Sequence, residues 1–205
     1  YNHRVQKLDA NGKWLKNFTG ITYPYSVAVD SSGNVYAGNN YIRKWDSSGT
    51  FITQWRNFGS QGLSAYNGSV YATDSAYKKI YKYSDTGSLQ ASWSTSNNAQ
   101  PYDVEVNSNG VYVGTGSSHT VQKYSHGGVY SMQWGGYGTG AGKFMYVRGL
   151  DSDGAGNIYV AHFGRGGIQY FDSIGNYIDS IGGSSGTRLA EAKKVIKKLV
   201  SSSDL

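Results

Sequence analysis

The feature that most constrains how this chain can fold is an internal repeat with a fixed spacing. A short strand-like run ends at an Asp or Ser, a Gly follows three residues later, and large apolar residues follow after five and nine residues. The five copies carry Gly12, Gly49, Gly87, Gly128 and Gly175, with Phe18, Trp55, Trp93, Trp134 and Ile181 at the last position. Repetition at one spacing predicts five copies of one hairpin within a repeat architecture. It also predicts that Trp55, Trp93 and Trp134 are buried between neighbouring copies.

Four of the five hairpins are preceded by a second hairpin, so that each of these repeats contains four short strands. In the second copy, alternating residues at 25–30, 35–38, 41–46 and 51–55 are separated by turn residues. Such alternation is typical of half-buried antiparallel strands. The third strands begin at Ile42, Ile80, Val121 and Ile168, at steps of 38, 41 and 47 residues. A four-stranded unit of about 40 residues predicts a β-propeller blade and an all-β fold.

The repeat resembles the NHL repeat over residues 1 to about 183. The runs PYSVAVD at 24–30, NHRVQK at 2–7 and the Gly-rich WGGYGTGAGKF at 134–144 carry the resemblance. The copy at 60–99 departs from the pattern, because it lacks the Pro and has a shorter inner hairpin. The resemblance implies a β-propeller of NHL-like four-stranded blades.

The number of hairpins indicates that the chain holds four full blades plus one half-blade. Five outer hairpins stand against four inner ones, and residues 1–18 form the outer hairpin without an inner partner. An open strand edge invites pairing with other strands. We therefore expect additional strands, from the rest of the polypeptide or from another subunit, to complete the propeller. We also expect the chain to be a processed product or a fragment of a larger protein.

The last segment, 184–205, changes from a strand pattern to a helical one. One helical face carries the apolar residues Leu189, Ala192, Ile196, Leu199 and Val200. With Thr187 as N-cap, the pattern predicts a linker and a C-terminal amphipathic helix of an adjoining element, beside a propeller domain at 1–183. The helix weakly resembles the first helix of von Willebrand A-type domains. The metal-binding Asp-x-Ser-x-Ser run of those domains does not precede Thr187, so the resemblance implies no metal site.

No motif in the chain indicates catalysis or a cofactor. The four His residues lie in different repeats without metal-site spacing, and there is no Cys. The run Asp151-Ser152-Asp153-Gly154 has calcium-type ligands, but it stands where other blades have a hairpin turn, and no Glu closes the loop. The glycines at 138–142 fit a linker between blades better than a dinucleotide loop. We therefore expect no metal, no cofactor and no enzymatic activity, and no apolar run is long enough to span a membrane.

Candidate binding residues lie in the loops between second and third strands and between consecutive blades, which gather on one face of a propeller. They are Tyr23, Asn39, Asn40, Tyr41, Tyr77, Lys78, Tyr137, Tyr146, Arg148, His162, Phe163 and Arg165. Tyr provides rigid contact area, while Asn and Arg provide adaptable hydrogen bonds. This mixture is typical of recognition surfaces.

These residues leave three functions open. The first, which we favour, is a non-catalytic recognition or scaffold propeller of a secreted or cell-surface protein, binding a protein or a glycan as in adhesion. The second is RNA binding, as in some NHL-type propellers. Half of the net charge of +6 comes from 184–205, so the propeller has few cations for phosphate contacts, which disfavours nucleic acid. The third is an enzyme of the lyase or lactonase type, which would need His or acidic ligands converging on a central channel.

Overall fold

The computed structural model describes residues 3–57, 59–163 and 167–182, and the regular secondary structure of these residues is almost entirely β. They form eighteen strands and one short 3-10 helix, Ser96–Asn98. The chain divides after Thr95 into two compact units, which we call the N-terminal unit and the C-terminal unit. The amphipathic helix predicted within 184–205 lies outside the described residues. No helix among the described residues is long and apolar enough to cross a membrane.

The N-terminal unit contains a two-stranded hairpin and two four-stranded blades. The hairpin consists of β1 (Val5–Leu8) and β2 (Trp14–Phe18). Blade 1 consists of β3 (Ser26–Val29), β4 (Val35–Gly38), β5 (Tyr41–Trp45) and β6 (Phe51–Arg56). Blade 2 consists of β7 (Ser60–Tyr66), β8 (Ser69–Asp74), β9 (Lys79–Ser84) and β10 (Leu89–Ser94). Within each blade, consecutive strands pair antiparallel.

The C-terminal unit contains two further blades with the same strand order. Blade 3 consists of β11 (Pro101–Asn107), β12 (Gly110–Thr115), β13 (Thr120–Tyr124) and β14 (Tyr130–Gly135). Blade 4 consists of β15 (Val147–Ser152), β16 (Ile158–His162), β17 (Ile168–Phe171) and β18 (Tyr177–Ile181). For the described residues, the prediction of an all-β fold with four full blades and one half-blade is therefore confirmed.

The repeated Asp or Ser and the Gly three residues later build one type of turn. In blade 1 the N–H of Gly49 donates to the carbonyl of Asp46 (2.9 Å), and the Asp46 carboxylate accepts the N–H of Thr50 (2.8 Å). Gly49 has a φ of +87°, a left-handed conformation that residues with a Cβ adopt only at a cost. The same bonds recur after Asp30 and Asp172. Local turn chemistry therefore explains why the sequence pattern located the hairpins.

Trp55 and Trp134, at the ends of outer hairpins, pack between blades, although they are half-buried rather than fully buried. Trp55 lies between the ring of Tyr36 in its own blade and that of Tyr83 in blade 2, at centroid distances of 6.3 and 6.0 Å. A Cβ on Gly87, the turn glycine of blade 2, would meet the Trp55 indole at 2.6 Å. Glycine is thus favoured at this turn for two reasons: the backbone has a positive φ, and a side chain would collide with the indole.

The C-terminal unit repeats this arrangement. Trp134 lies between Tyr112 of blade 3 (6.1 Å) and Phe171 of blade 4 (5.9 Å). A Cβ on Gly175 would meet the Trp134 indole at 2.7 Å. Trp93 occupies the equivalent place in blade 2 and contacts Tyr71 of its own blade at 6.4 Å. The predicted packing between blades is thus seen for Trp55 and Trp134, but not their full burial. Tyr36, Tyr71 and Tyr112 of the second strands are among the fully buried side chains.

Side chains at equivalent positions also link the first strands of neighbouring blades. In the N-terminal unit, Ser26 Oγ accepts the N–H of Leu63 (2.9 Å). In the C-terminal unit, Asp103 Oδ2 accepts the N–H of Leu150 (2.8 Å). Accordingly, β3 packs beside β7 and β11 packs beside β15.

Two lysines link the outer parts of the blades in the same way. Lys44 Nζ lies 5.3 Å from the ring centre of Tyr36, donates to the carbonyl oxygen of Asp85 in the turn of blade 2 (3.1 Å) and pairs with its carboxylate (3.0 Å). Lys123 Nζ lies 5.3 Å from the ring of the second-strand Tyr in its blade and donates to the carbonyl of Ser173 (2.8 Å). Each lysine thus stacks on its own blade and binds the turn of the next.

Candidate recognition surfaces

The N-terminal unit has a shallow pocket of about 330 Å³ among its loops. Its lining residues are Asn40, Tyr41, Arg56, Asn57 and Tyr77. The structure thus brings together three residues that the sequence singled out, Asn40, Tyr41 and Tyr77. The sequence did not predict Arg56, which ends the fourth strand, or Asn57, which begins the connection to blade 2. The N–H of Asn57 donates to the carbonyl of Asn40 (2.9 Å), which holds the two loops together.

The pocket has a fixed polar floor and exposed aromatic walls. Asn57 is only 2% exposed, and its Oδ1 accepts the hydroxyl proton of Tyr83 (3.1 Å). Tyr41 and Tyr77, by contrast, are 50% and 67% exposed. Asn39 joins two loops, since its Oδ1 accepts the N–H of Tyr41 (3.0 Å) and its amide donates to the carbonyl of Thr22, in the connection before blade 1.

A His–Tyr pair recurs in both units, and its histidines were not among the predicted site residues. The N–H of Tyr23 donates to His3 Nδ1 (3.3 Å), and the two rings meet edge to face at 4.6 Å. The N–H of Tyr146 donates to His119 Nδ1 (3.0 Å), with the rings 5.0 Å apart. Both tyrosines have positive φ, +49° and +52°, which is rare for residues other than Gly. The sequence signal was present, because both histidines begin the run His-x-Val-Gln-Lys.

In the C-terminal unit, aromatic rings form a continuous strip along the loops. We define the aromatic strip as Tyr137, His119, Tyr146 and Phe163. The His119 ring lies 5.1 Å from Tyr137, and Tyr146 lies 6.3 Å from Phe163. Tyr137 and Phe163 are 70% and 65% exposed. Exposed aromatic area held by defined ring contacts is suited to binding another molecule.

Arg148 lies beside this strip and contacts two aromatic rings. Its Cζ is 4.2 Å from the ring centre of Tyr102 and 4.8 Å from that of Phe163. The Tyr102 ring in turn lies against Gly116, where a Cβ would clash with it. Arg148 and Phe163 were predicted site residues, whereas Tyr102 was not.

The remaining predicted residues are placed differently. His162 is half-buried behind the strip, where its Nδ1 accepts the N–H of Met145 (3.4 Å) and its ring packs on Phe144 at 5.5 Å. Burial lowers the pKa of His162 below its ordinary value. Lys78 has a φ of +56° in the loop between the second and third strands of blade 2. Arg165 lies outside the described residues.

The carboxyl groups of the first strands in the C-terminal unit have unusual proton affinities. Burial raises the pKa of Asp103 to about 7, although its two oxygens accept the N–H groups of Val104 (2.9 Å) and Leu150 (2.8 Å). Burial also raises the pKa of Asp151. Both oxygens of Asp103 are thus occupied by the backbone. Ser26 accepts the corresponding leucine N–H in the N-terminal unit.

The carboxylate of Asp153, considered above as a calcium ligand, closes a hairpin turn. It accepts the N–H groups of Ala155 (3.0 Å) and Asn157 (2.9 Å) and the hydroxyl proton of Tyr159 (3.2 Å). These bonds lower the pKa of Asp153, although burial opposes them. Within the part of the chain that the structure describes, no group of three or more His, Asp or Glu could hold a metal ion.

No family model matches the sequence, and a comparison with curated proteins found no significant match. Solved structures do resemble the chain. A streptogramin B lyase is 18% identical, with a TM-score of 0.70, over 89% of this chain and 63% of its own. U3-55K is 11% identical, with a TM-score of 0.70, over 90% of this chain and 61% of its own. The RRP9 WD40 repeats are 12% identical, with a TM-score of 0.67, over 84% and 55%.

These similarities concern the fold alone, since all three identities are below 20%. The chain spans about three fifths of the length of the first two structures. WD40 repeats are blades of β-propellers, and the four-stranded sheets of this chain have the same construction. The fold class is therefore the β-propeller.

Proposed function

We propose that this chain is part of a non-catalytic recognition propeller that binds a protein partner through the loops between its blades. The observation that supports this proposal is the aromatic strip of the C-terminal unit. Its end residues Tyr137 and Phe163 are mostly exposed, and the strained backbone of Tyr146 holds a third ring between them. Exposed rings in fixed positions contribute contact area without a large loss of conformational entropy.

Two features support recognition over catalysis. The carboxyl group with the most altered pKa, Asp103, uses both oxygens to bind backbone N–H groups. The second-strand tyrosines Tyr36 and Tyr159 likewise donate to the carboxylates of hairpin turns. A catalytic acid or base needs a free atom within reach of its substrate. The likeness to a streptogramin B lyase supports only the shared fold.

Site-specific photo-crosslinking tests this proposal. We would place p-benzoylphenylalanine at Phe163, at Tyr77 or, as a control, at Val129, which is equally exposed but lies on an outer hairpin. After irradiation in an extract of the source organism, we expect a discrete protein adduct from Phe163 and none from Val129. Tyr146→Ala should reduce that adduct. Equal adducts from Phe163 and Val129, or binding to a glycan array with no protein adduct, would contradict the proposal.

We further propose that the blades are of the NHL type. The two histidines of the His-x-Val-Gln-Lys runs support this, since each accepts the N–H of an aromatic residue in the loop that follows its outer hairpin. A motif residue with the same contact in two blades indicates a feature of the repeat. A sequence profile built from homologues tests the assignment, which requires His at these positions in most blades.

We also propose that strands from the rest of the polypeptide or from another subunit pair with β1. In blades 1 and 3, the lysine two residues before the outer turn stacks on the Tyr of the second strand. Lys7 occupies this position in the half-blade and is exposed, and β1 pairs only with β2 among the described residues. A strand with a Tyr facing Lys7 would give this hairpin the contacts of the other blades.

A further inference from the structure

In the C-terminal unit, the guanidinium of Arg148 lies over two aromatic rings. Its guanidinium lies 4.2 Å from the Tyr102 ring centre and 4.8 Å from the Phe163 ring centre, and the side chain is exposed. Tyr102 comes from β11 and Phe163 follows β16, so two blades contribute to the arrangement. We call Tyr102, Arg148 and Phe163 the arginine clamp. Stacking uses the face of a guanidinium and leaves its in-plane N–H groups available.

The charge of Arg148 is not neutralised by the described part of the chain. No hydrogen bond or ion pair joins Arg148 to a described residue, whereas Arg43, which also lies over two rings, donates to Gln54 (2.9 Å). Asp103, which follows Tyr102 in the chain, accepts the N–H groups of Val104 and Leu150 instead. A stacked guanidinium with free N–H groups is prepared to bind an anion from outside.

The surroundings of the clamp select among anions. A planar guanidinium matches a carboxylate with two parallel hydrogen bonds. Phosphate-rich ligands require several cations, and the clamp contains one. Phe163 offers an apolar face that is 65% exposed, and Tyr146 lies next to it at 6.3 Å. A ligand with an acidic side chain next to an apolar one could bind Arg148 with the first and pack on Phe163 with the second.

We propose that the arginine clamp binds an Asp or Glu side chain of a protein partner, next to an apolar residue that packs on Phe163. The inference rests on the proposed function, because it names the chemistry of the partner segment that the aromatic strip receives. Arg148 supplies the charged hydrogen bonds, and Tyr102 and Phe163 hold its side chain in place before the partner arrives. Such preorganisation reduces the entropy lost on binding.

The test uses the full chain and a fluorescein-labelled peptide with two Glu residues on each side of a Phe, beside the same peptide with Gln in place of Glu. At low salt, the wild-type chain should bind the Glu peptide about tenfold more tightly than the Gln peptide. Arg148→Gln should remove this preference, and Arg148→Lys should restore only part of it, because an ammonium lacks the planar fork. Arg43→Gln, which removes the same charge from a comparable stacked site, should leave the preference unchanged. Equal melting temperatures would establish that the variants fold.

The outcomes separate this inference from the proposed function. Tyr146→Ala should weaken binding of both peptides equally, because it removes aromatic area and no charge. The clamp assignment is wrong if the wild-type chain binds the Glu and Gln peptides equally. It is also wrong if Arg43→Gln abolishes the preference as fully as Arg148→Gln does. Either result would leave the proposed function standing if Phe163 still crosslinks to a protein. Binding of polygalacturonate without binding of the Glu peptide would assign the clamp to an acidic glycan and overturn the inference.

Discussion

Asp103 and Ser26 occupy the same position in two blades, where each accepts the N–H of a leucine in the next first strand. The two side chains differ in their response to pH. Burial raises the pKa of Asp103 from its ordinary value of 3.8 to about 7. Between these values the native chain holds a proton that the unfolded chain has released. The contribution of Asp103 to stability is therefore complete below about pH 4 and is lost as pH rises towards 7.

We predict that Asp103→Ser flattens this dependence, because Ser keeps an acceptor for the Leu150 N–H and has no titrating group. Between pH 4 and pH 8, the free energy of unfolding of the wild-type chain should fall by about 1–4 kcal/mol more than that of the variant. Urea unfolding at a series of pH values measures the difference in slope. Parallel curves for the two proteins would contradict the prediction.

The turn glycines provide a second test at the scale of single residues. Gly175 combines a φ of +84° with an indole 2.7 Å from its would-be Cβ, whereas Gly12 has a φ of +80° and open space. We predict that Gly12→Ala costs about 1 kcal/mol, from backbone strain alone. Gly175→Ala should cost about 2–4 kcal/mol, because the Trp134 ring must also move. Chemical unfolding of both variants measures this, and equal costs would show that the indole packing has no energetic weight.

At the scale of the blade, the lysine that crosses to the next turn is a repeated element. Lys123 Nζ binds the carbonyl of Ser173, which also accepts the hydroxyl proton of Tyr112 (3.1 Å). Burial lowers the pKa of Lys123, because its ammonium group is partly shielded from water. We predict that Lys123→Met destabilises the chain by about 1–2 kcal/mol, whereas Lys7→Met, at the equivalent but exposed position, costs less than about 0.5 kcal/mol. Thermal or urea unfolding measures both costs. An equal cost at the two positions would contradict a stabilising link between Lys123 and the turn of blade 4.

The strands and turns could be predicted from the sequence because their signals are local. An Asp and a Gly three residues apart close a turn by bonds within five residues, as at Asp46 and Gly49. The recognition surfaces depend on how strands from different hairpins align. Tyr102, Arg148 and Phe163 are far apart in the chain, and no spacing rule places their side chains together.

The difference between local and long-range signals also explains why only some of the site residues were predicted. Loop composition selected Asn40, Tyr41 and Tyr77, which do line one pocket. Arg56 and Asn57 complete that pocket although they lie at the end of a strand, where a pattern of apolar alternation gives no functional signal. The sequence pattern did not predict a common role for His3 and His119. Each accepts the N–H of a tyrosine further along the chain, and this bond forms only when successive hairpins pack.

At the scale of the whole molecule, we expect the open edge that β1 has among the described residues to favour association of the chain. In blades 1 and 3 the strand equivalent to β1 pairs on both sides, whereas β1 pairs only with β2 among the described residues. Leu8 and Trp14 of this hairpin are 52% and 54% exposed. An open edge with apolar side chains is a template for strand addition.

We predict that the chain on its own associates as its concentration rises, to species heavier than its monomer mass of 22.3 kDa. Gln6→Lys, which places a second charge beside Lys7 on the open edge, should weaken this association, whereas Ser131→Lys, on the exposed outermost strand of the complete blade 3, should not. Sedimentation velocity at several concentrations measures the mass, and hydrogen exchange of the β1 amides reports whether the edge is covered. If β1 is the docking edge, its amides gain protection in step with the mass, because each added strand binds N–H groups that were open to water. A monomer at every concentration, with β1 amides already protected, would mean that the half-blade needs no outside strands.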